Sequence, residues 1–164
     1  MDLLDRLLGH DLWTTAQLLE RCRELHPVQW TQLFDVGHGT LEATFQHMIG
    51  NVCVWTDLMA GRSGQASAVQ HGATADALLA AWPLAYADFA TLARQVADAN
   101  RWDATYVDVL DDPPRSKTFG GTIGHVITHN MQHRGEIIHM LTQLGLENVL
   151  EGDLLSWEQQ ARRS

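Results

Sequence analysis

The chain reads as an all-α protein, a four-helix bundle, and three observations predict it. Apolar residues recur at helical spacing in four separate stretches of roughly 20 residues. Proline, glycine and good N-cap residues mark most of the boundaries between those stretches. No uncharged apolar run reaches the roughly 18 residues of a membrane span, so the stripes must be buried against one another. A length of 164 residues is enough for one well-buried core, and one domain over 1–164 is expected.

The first helix is expected from Leu3 to about Leu25, with Leu4, Leu7, Leu8, Leu12, Ala16 and Leu19 on one stripe. His26-Pro27 closes it, because a residue before proline is pushed out of the α region. A connector from Pro27 to Gly39 ends at Thr40, a good N-cap, with Glu42 favourably placed in the first turn that follows. The second helix then runs from Leu41 to about Ala60 and carries Leu41, Phe45, Met48, Val52 and Trp55 on its core-facing stripe. Thr74 to about Ala99 is the third, with Leu78, Leu79, Trp82, Tyr86, Phe89 and Leu92 apolar. Pro83 either kinks it or marks a start nearer the proline.

Between Trp102 and Phe119 the pattern changes. The segment TYVDVL alternates and is rich in β-branched and aromatic residues, DDPPRS is turn chemistry, and KTF can return. A small β-hairpin before the last long helix is expected, with an irregular loop as the alternative. Thr122 or the glycine pair before it opens the fourth long helix, Ile123 to Leu144, and Gly145 stops it. The tail, Asn148 to Arg163, holds Leu154, Leu155 and Trp157 and fits a short docking helix.

Charge and composition exclude several functions. Twenty acids stand against 11 bases for a formal net charge of -9, with no basic cluster beyond Arg162 and Arg163, so no nucleic-acid partner is expected. The leucines of Met1 to Leu12 are interrupted by Asp2, Asp5, Arg6, His10 and Asp11, which fits neither a signal peptide nor a membrane span, and a cytoplasmic location is expected. Cys22 and Cys53 lie inside helical patterns without CxxC spacing and are read as buried thiols. The six tryptophans are read as plain core, with a pocket lining as the alternative.

The chemistry concentrates in GHVITHNMQHRGEIIHML, where His125, His129 and His133 stand at four-residue intervals. Side chains at i and i+4 share a helix face, so at least two of these imidazoles can address a common centre, as in helix-borne sites for divalent metals. Asn130 follows His129 where a HExxH protease has glutamate, which excludes that reading. Bundles build metal sites from facing helices, and His47, mid-helix and flanked by apolar residues, is the best candidate to meet His129 and His133. His10, His26, His38 and His71 are read as surface or capping residues, being near helix ends or in polar linkers.

GTLEATFQHMIGNVCVW around His47 and GGTIGHVITHNMQHRGEIIHMLTQLG near the C-terminus together resemble the DinB/YfiT-like superfamily of metalloenzymes. The pattern is a histidine followed eight residues later by tryptophan, His47 and Trp55, and a later His-x3-His-Arg-Gly, His129 to Gly135. The resemblance implies an up-down-down-up bundle, metal ligands His47, His129 and His133, a divalent ion that is usually zinc or nickel, and a homodimer. It leaves His125 as a supporting residue or as packing at the first turn of its helix. Glu136 either orients a ligand imidazole by accepting its other N–H or faces solvent. It also implies a small-molecule substrate, with either transfer to or from a low-molecular-weight thiol, such as bacillithiol or mycothiol, or metal-dependent hydrolysis. The alternatives are a non-catalytic metal-binding stress protein and a dimerisation module with a vestigial site.

Overall fold

The computed structural model describes residues 1–62, 72–150 and 152–162. Helix α1 spans Leu3–Cys22 and starts in a capping box in which Asp2 and Asp5 each accept the other's backbone N–H. It stops short of Leu25. The connector that follows is not irregular throughout: His26 caps a helical turn, α2, Pro27–Trp30, by accepting the Val28 N–H on its ring. Helix α3, Leu41–Met59, begins at Thr40, whose hydroxyl accepts the Ala43 N–H. Helix α4, Ala75–Asp98, begins at Thr74 and runs through Pro83, which faces solvent. The start nearer the proline is therefore corrected. The lost backbone bond lies on the wet side of the helix, where water can replace it.

Strands β1, Thr105–Asp108, and β2, Arg115–Thr118, pair antiparallel with Thr105 opposite Thr118, so the hairpin and not the irregular loop is what forms. Helix α5 spans Phe119–Gln143 and starts a full turn before the expected Ile123. Thr118 caps it by accepting the Gly121 N–H, and Gly120 donates to the Trp102 carbonyl, so the glycine pair lies inside the helix instead of before it. Gly145 follows the last residues with φ of +78°, the left-handed conformation that stops a helix. Helix α6, Leu154–Ala161, docks through buried Trp157, whose ring rests on bare backbone at Gly9; a Cβ there would lie 2.7 Å from Trp157 Cζ2.

Four long helices form the bundle, and their directions follow from which ends meet. Asp2 pairs with Arg94, and Arg23 with Asp76, so α1 and α4 are antiparallel. Trp55 meets His125 while His47 meets His129 and His133, so α3 and α5 are antiparallel. Asp11 contacts Asn130 and Arg134, whereas Thr14 and Ile138 flank Gly152 one turn further on, so α1 and α5 run together. The order is up-down-down-up. The shared core includes Leu18, Leu41, Phe45, Met48, Leu78, Trp82, Phe89, Ile137 and Met140, all fully buried. Among the described residues no helix is long and apolar enough to cross a membrane.

Several burial expectations are corrected. Cys22 is buried, and burial pushes its thiol up to about 12, but Cys53 is only partly covered. Trp55 and Trp102 are partly exposed, so the tryptophans are not all core. His10 lies in the middle of α1, is buried, and bonds the Gly152 carbonyl through Nε2 at 2.8 Å.

Candidate metal centre

Helices α3 and α5 are antiparallel neighbours, so a mid-helix residue of one faces the middle of the other. His47 on α3 thereby meets two successive turns of α5. His129 Nε2 lies 3.0 Å from Nε2 of His47 and 3.0 Å from Nε2 of His133. The ring centroids of the three pairs are 5.3, 4.8 and 4.3 Å apart, with the planes crossing at 70 to 79°. Edge-on rings with their nitrogens together aim lone pairs at a shared point.

Glu136 settles which nitrogen of His133 carries the proton. Its Oε2 lies 2.7 Å from His133 Nδ1, so that ring donates from Nδ1 and, when neutral, presents a bare Nε2 to the other histidines. Of the two readings for Glu136, the structure shows the orienting one. Hydrogen bonds alone satisfy this trio poorly: His133 Nε2 can only accept, and the single Nε2 position of His129 cannot hydrogen-bond both neighbours that lie 3.0 Å from it. A cation satisfies all three lone pairs at once. Two nitrogens each about 2.1 Å from one ion are about 3.0 Å apart at a right angle and about 3.4 Å apart at the tetrahedral angle, so the observed spacing fits shared ligation.

The electrostatics agree. Burial, with the nearby rings adding to it, pushes His47 down to about 4, and burial also lowers His129 and His38. At neutral pH these rings are therefore deprotonated, the form that binds a metal.

The structure adds a residue that the sequence reading set aside. His38 is exposed, as a surface residue is expected to be, but it stands beside the cluster. Its ring stacks on His47 with centroids 3.9 Å apart and lies 5.2 Å from that of His133. His38, His47 and His133 each offer a ligand atom within 4.8 Å of the others. The loop that carries it is held by Phe34 N–H to the Gly39 carbonyl at 2.7 Å and Gly39 N–H to the Val36 carbonyl at 3.0 Å. The signal that would have found it is the Gly37-His38-Gly39 triplet, whose two glycines sit at φ of +56° and +82°. A Cβ at Gly37 would also overlap the Glu136 carboxylate and displace it from its place behind His133.

His125 stands beside the centre. Because α5 begins early, it lies in the second turn, not the first, and its ring stacks on His129 at 5.1 Å and meets Trp55 edge-on at 5.6 Å. With Trp55, Lys117, Thr118, Gly121 and Thr122 it lines a cavity of about 390 Å³. Lys117 lies 4.7 Å over the Trp55 ring and pairs with Asp108 and Asp111 of the hairpin, so β2 forms one wall and is braced from β1. His26 is a cap as expected; His71 lies outside the described residues.

The family model of the DinB family matches residues 1–161. No curated protein matches the sequence.

Proposed function

The chain belongs to the DinB family, and from that membership and its histidine cluster we propose that it is a divalent-metal-dependent enzyme acting on a small molecule. The observation that carries the reading is that His129 Nε2 lies 3.0 Å from both His47 Nε2 and His133 Nε2, with Glu136 behind His133. In this reading those three histidines are the ligands, and zinc or nickel is the ion, since imidazole nitrogen suits both. Three protein ligands leave a position for an exogenous group, the arrangement of catalytic sites. An ion held there supplies Lewis acidity and brings the pKa of a bound water or thiol toward neutrality.

The chain's own residues then have distinct tasks. Glu136 fixes the orientation and tautomer of His133, and the stacked His125 ring limits the movement of His129. The cavity beside His125 is of the size that accepts a small molecule. The reaction we assign is thiol-dependent transfer or hydrolysis. A second reading is a non-catalytic staple, favoured by one observation: the histidines come from two helices, His47 from α3 and His129 and His133 from α5, so a shared ion would tie the two together.

Elemental analysis of protein purified without added metal, and of the His133→Ala variant, tests the ligand set. About one ion per chain is expected in the wild type and none in the variant; full metal in the variant would refute the assignment. Thermal unfolding with and without chelator, run beside assays of thiol conjugation and hydrolysis, separates the two readings. A large loss of stability with no turnover of any substrate favours the staple.

A further inference from the structure

We propose that His38 is a fourth imidazole donor of this metal centre, presented by a purpose-shaped loop between α2 and α3. The inference rests on the proposed centre and goes beyond its ligand set. Three observations carry it.

The first is proximity. The ligand atoms of His38, His47 and His133 lie within 4.8 Å of one another, whereas nitrogens sharing an ion lie about 3.0–3.4 Å apart. His38 is solvent-exposed, so a change of rotamer that takes its ring out of the stack on His47 is open to it and covers the remaining distance. The second is the loop. Both neighbours of His38 are glycines at positive φ, and two backbone hydrogen bonds close the turn around them. Phe34 and Val36 pack against the core, so the loop is anchored on its inner side while His38 stands over the His47 ring.

The third is the contact with Glu136. Gly37 leaves just the room that the Glu136 carboxylate occupies, and that same carboxylate holds His133. Loop and ligand are thus registered on one group. With His38 bound, the sphere is closed by four nitrogens, and the exposed member is the one an incoming ligand would displace.

The test loads the full chain with zinc and with cobalt(II), counts imidazoles by X-ray absorption, and measures affinity by competition with a chromogenic chelator. Four imidazoles are expected in the wild type and three in His38→Ala, with affinity at least about tenfold weaker. Because His38 is exposed, the variant should melt normally in the metal-free state. Gly37→Ala keeps the ring but displaces the loop from Glu136, and it should lose the same donor. Unchanged count and affinity in His38→Ala would overturn the inference while leaving the centre standing. If instead the wild type binds no ion, or His133→Ala binds as well as wild type, the centre itself fails and the inference with it.

Discussion

Replacing Asp11 by alanine should be among the most damaging single changes outside the histidine cluster. Its carboxylate is completely buried and accepts from Tyr86 Oη at 2.8 Å, from Asn130 Nδ2 at 2.8 Å and from Arg134. It joins α1 to α4 and to α5. Arg134 is itself 3 % exposed, and burial pushes its guanidinium down to about 10, so its charge depends on the one carboxylate beside it. Removing one member of a buried pair costs about 3–5 kcal/mol, and each donor left without an acceptor adds about 1–3 kcal/mol unless water enters. A loss of at least about 4 kcal/mol is therefore expected. A chain of this length has total stability on the order of 8–25 kcal/mol, so the variant folds but with a thinner margin. At about 2–4 °C per kcal/mol the melting temperature should fall by about 8–16 °C. Urea denaturation of the metal-free protein gives the same quantity independently. The double variant Asp11→Leu, Arg134→Met removes both charges and should recover the part of the loss that comes from an uncompensated Arg134, while Tyr86 and Asn130 still lack their acceptor. A loss below about 1 kcal/mol in Asp11→Ala, or no recovery in the double variant, would refute the reasoning.

Two further predictions concern the helix proline and acid. Pro83→Ala restores a backbone donor in the interior of α4 at an exposed site, and should stabilise the protein by about 1–3 kcal/mol in urea denaturation; no gain would mean that α4 is already relaxed around the proline. The pH dependence has a definite sign. His10, His38, His47 and His129 are all lowered from 6.5 in the folded chain, chiefly by burial. Below 6.5 the unfolded chain therefore binds more protons than the folded one, and stability falls as pH falls. The metal-free protein should hold a constant urea midpoint from pH 8 to about 7, then lose stability toward pH 5. The His47 contribution continues to drain until about pH 4, where the folded ring also protonates. A midpoint that stays level between pH 7 and 5 would contradict this.

Why the sequence yields some of these residues and hides others follows from how far each depends on its neighbours in space. His47, His129 and His133 are legible because a helix converts sequence spacing directly into direction, and α3 and α5 are long, regular and apolar on one side. Thr40 and Thr74 are legible as caps for the same local reason, since a hydroxyl before an apolar run has one common use. Thr118 is missed because Gly120 and Gly121 read as breakers, and what keeps them helical is a bond from Gly120 to the Trp102 carbonyl, outside the helix. His10 and Asp11 look like polar residues that break an apolar stripe, yet both are buried; the partners that make this tolerable are Gly152 and Arg134, far along the chain. His38 is the clearest case. Its position is set by two glycine φ angles and by a carboxylate on α5, and a sequence displays the glycines without saying where their turn will aim the ring. A histidine between two glycines in the linker just before the helix that carries His47 deserves weight as a candidate donor because such a triplet gives up conformational entropy on folding, and a histidine with no ring contacts to make would give nothing in return.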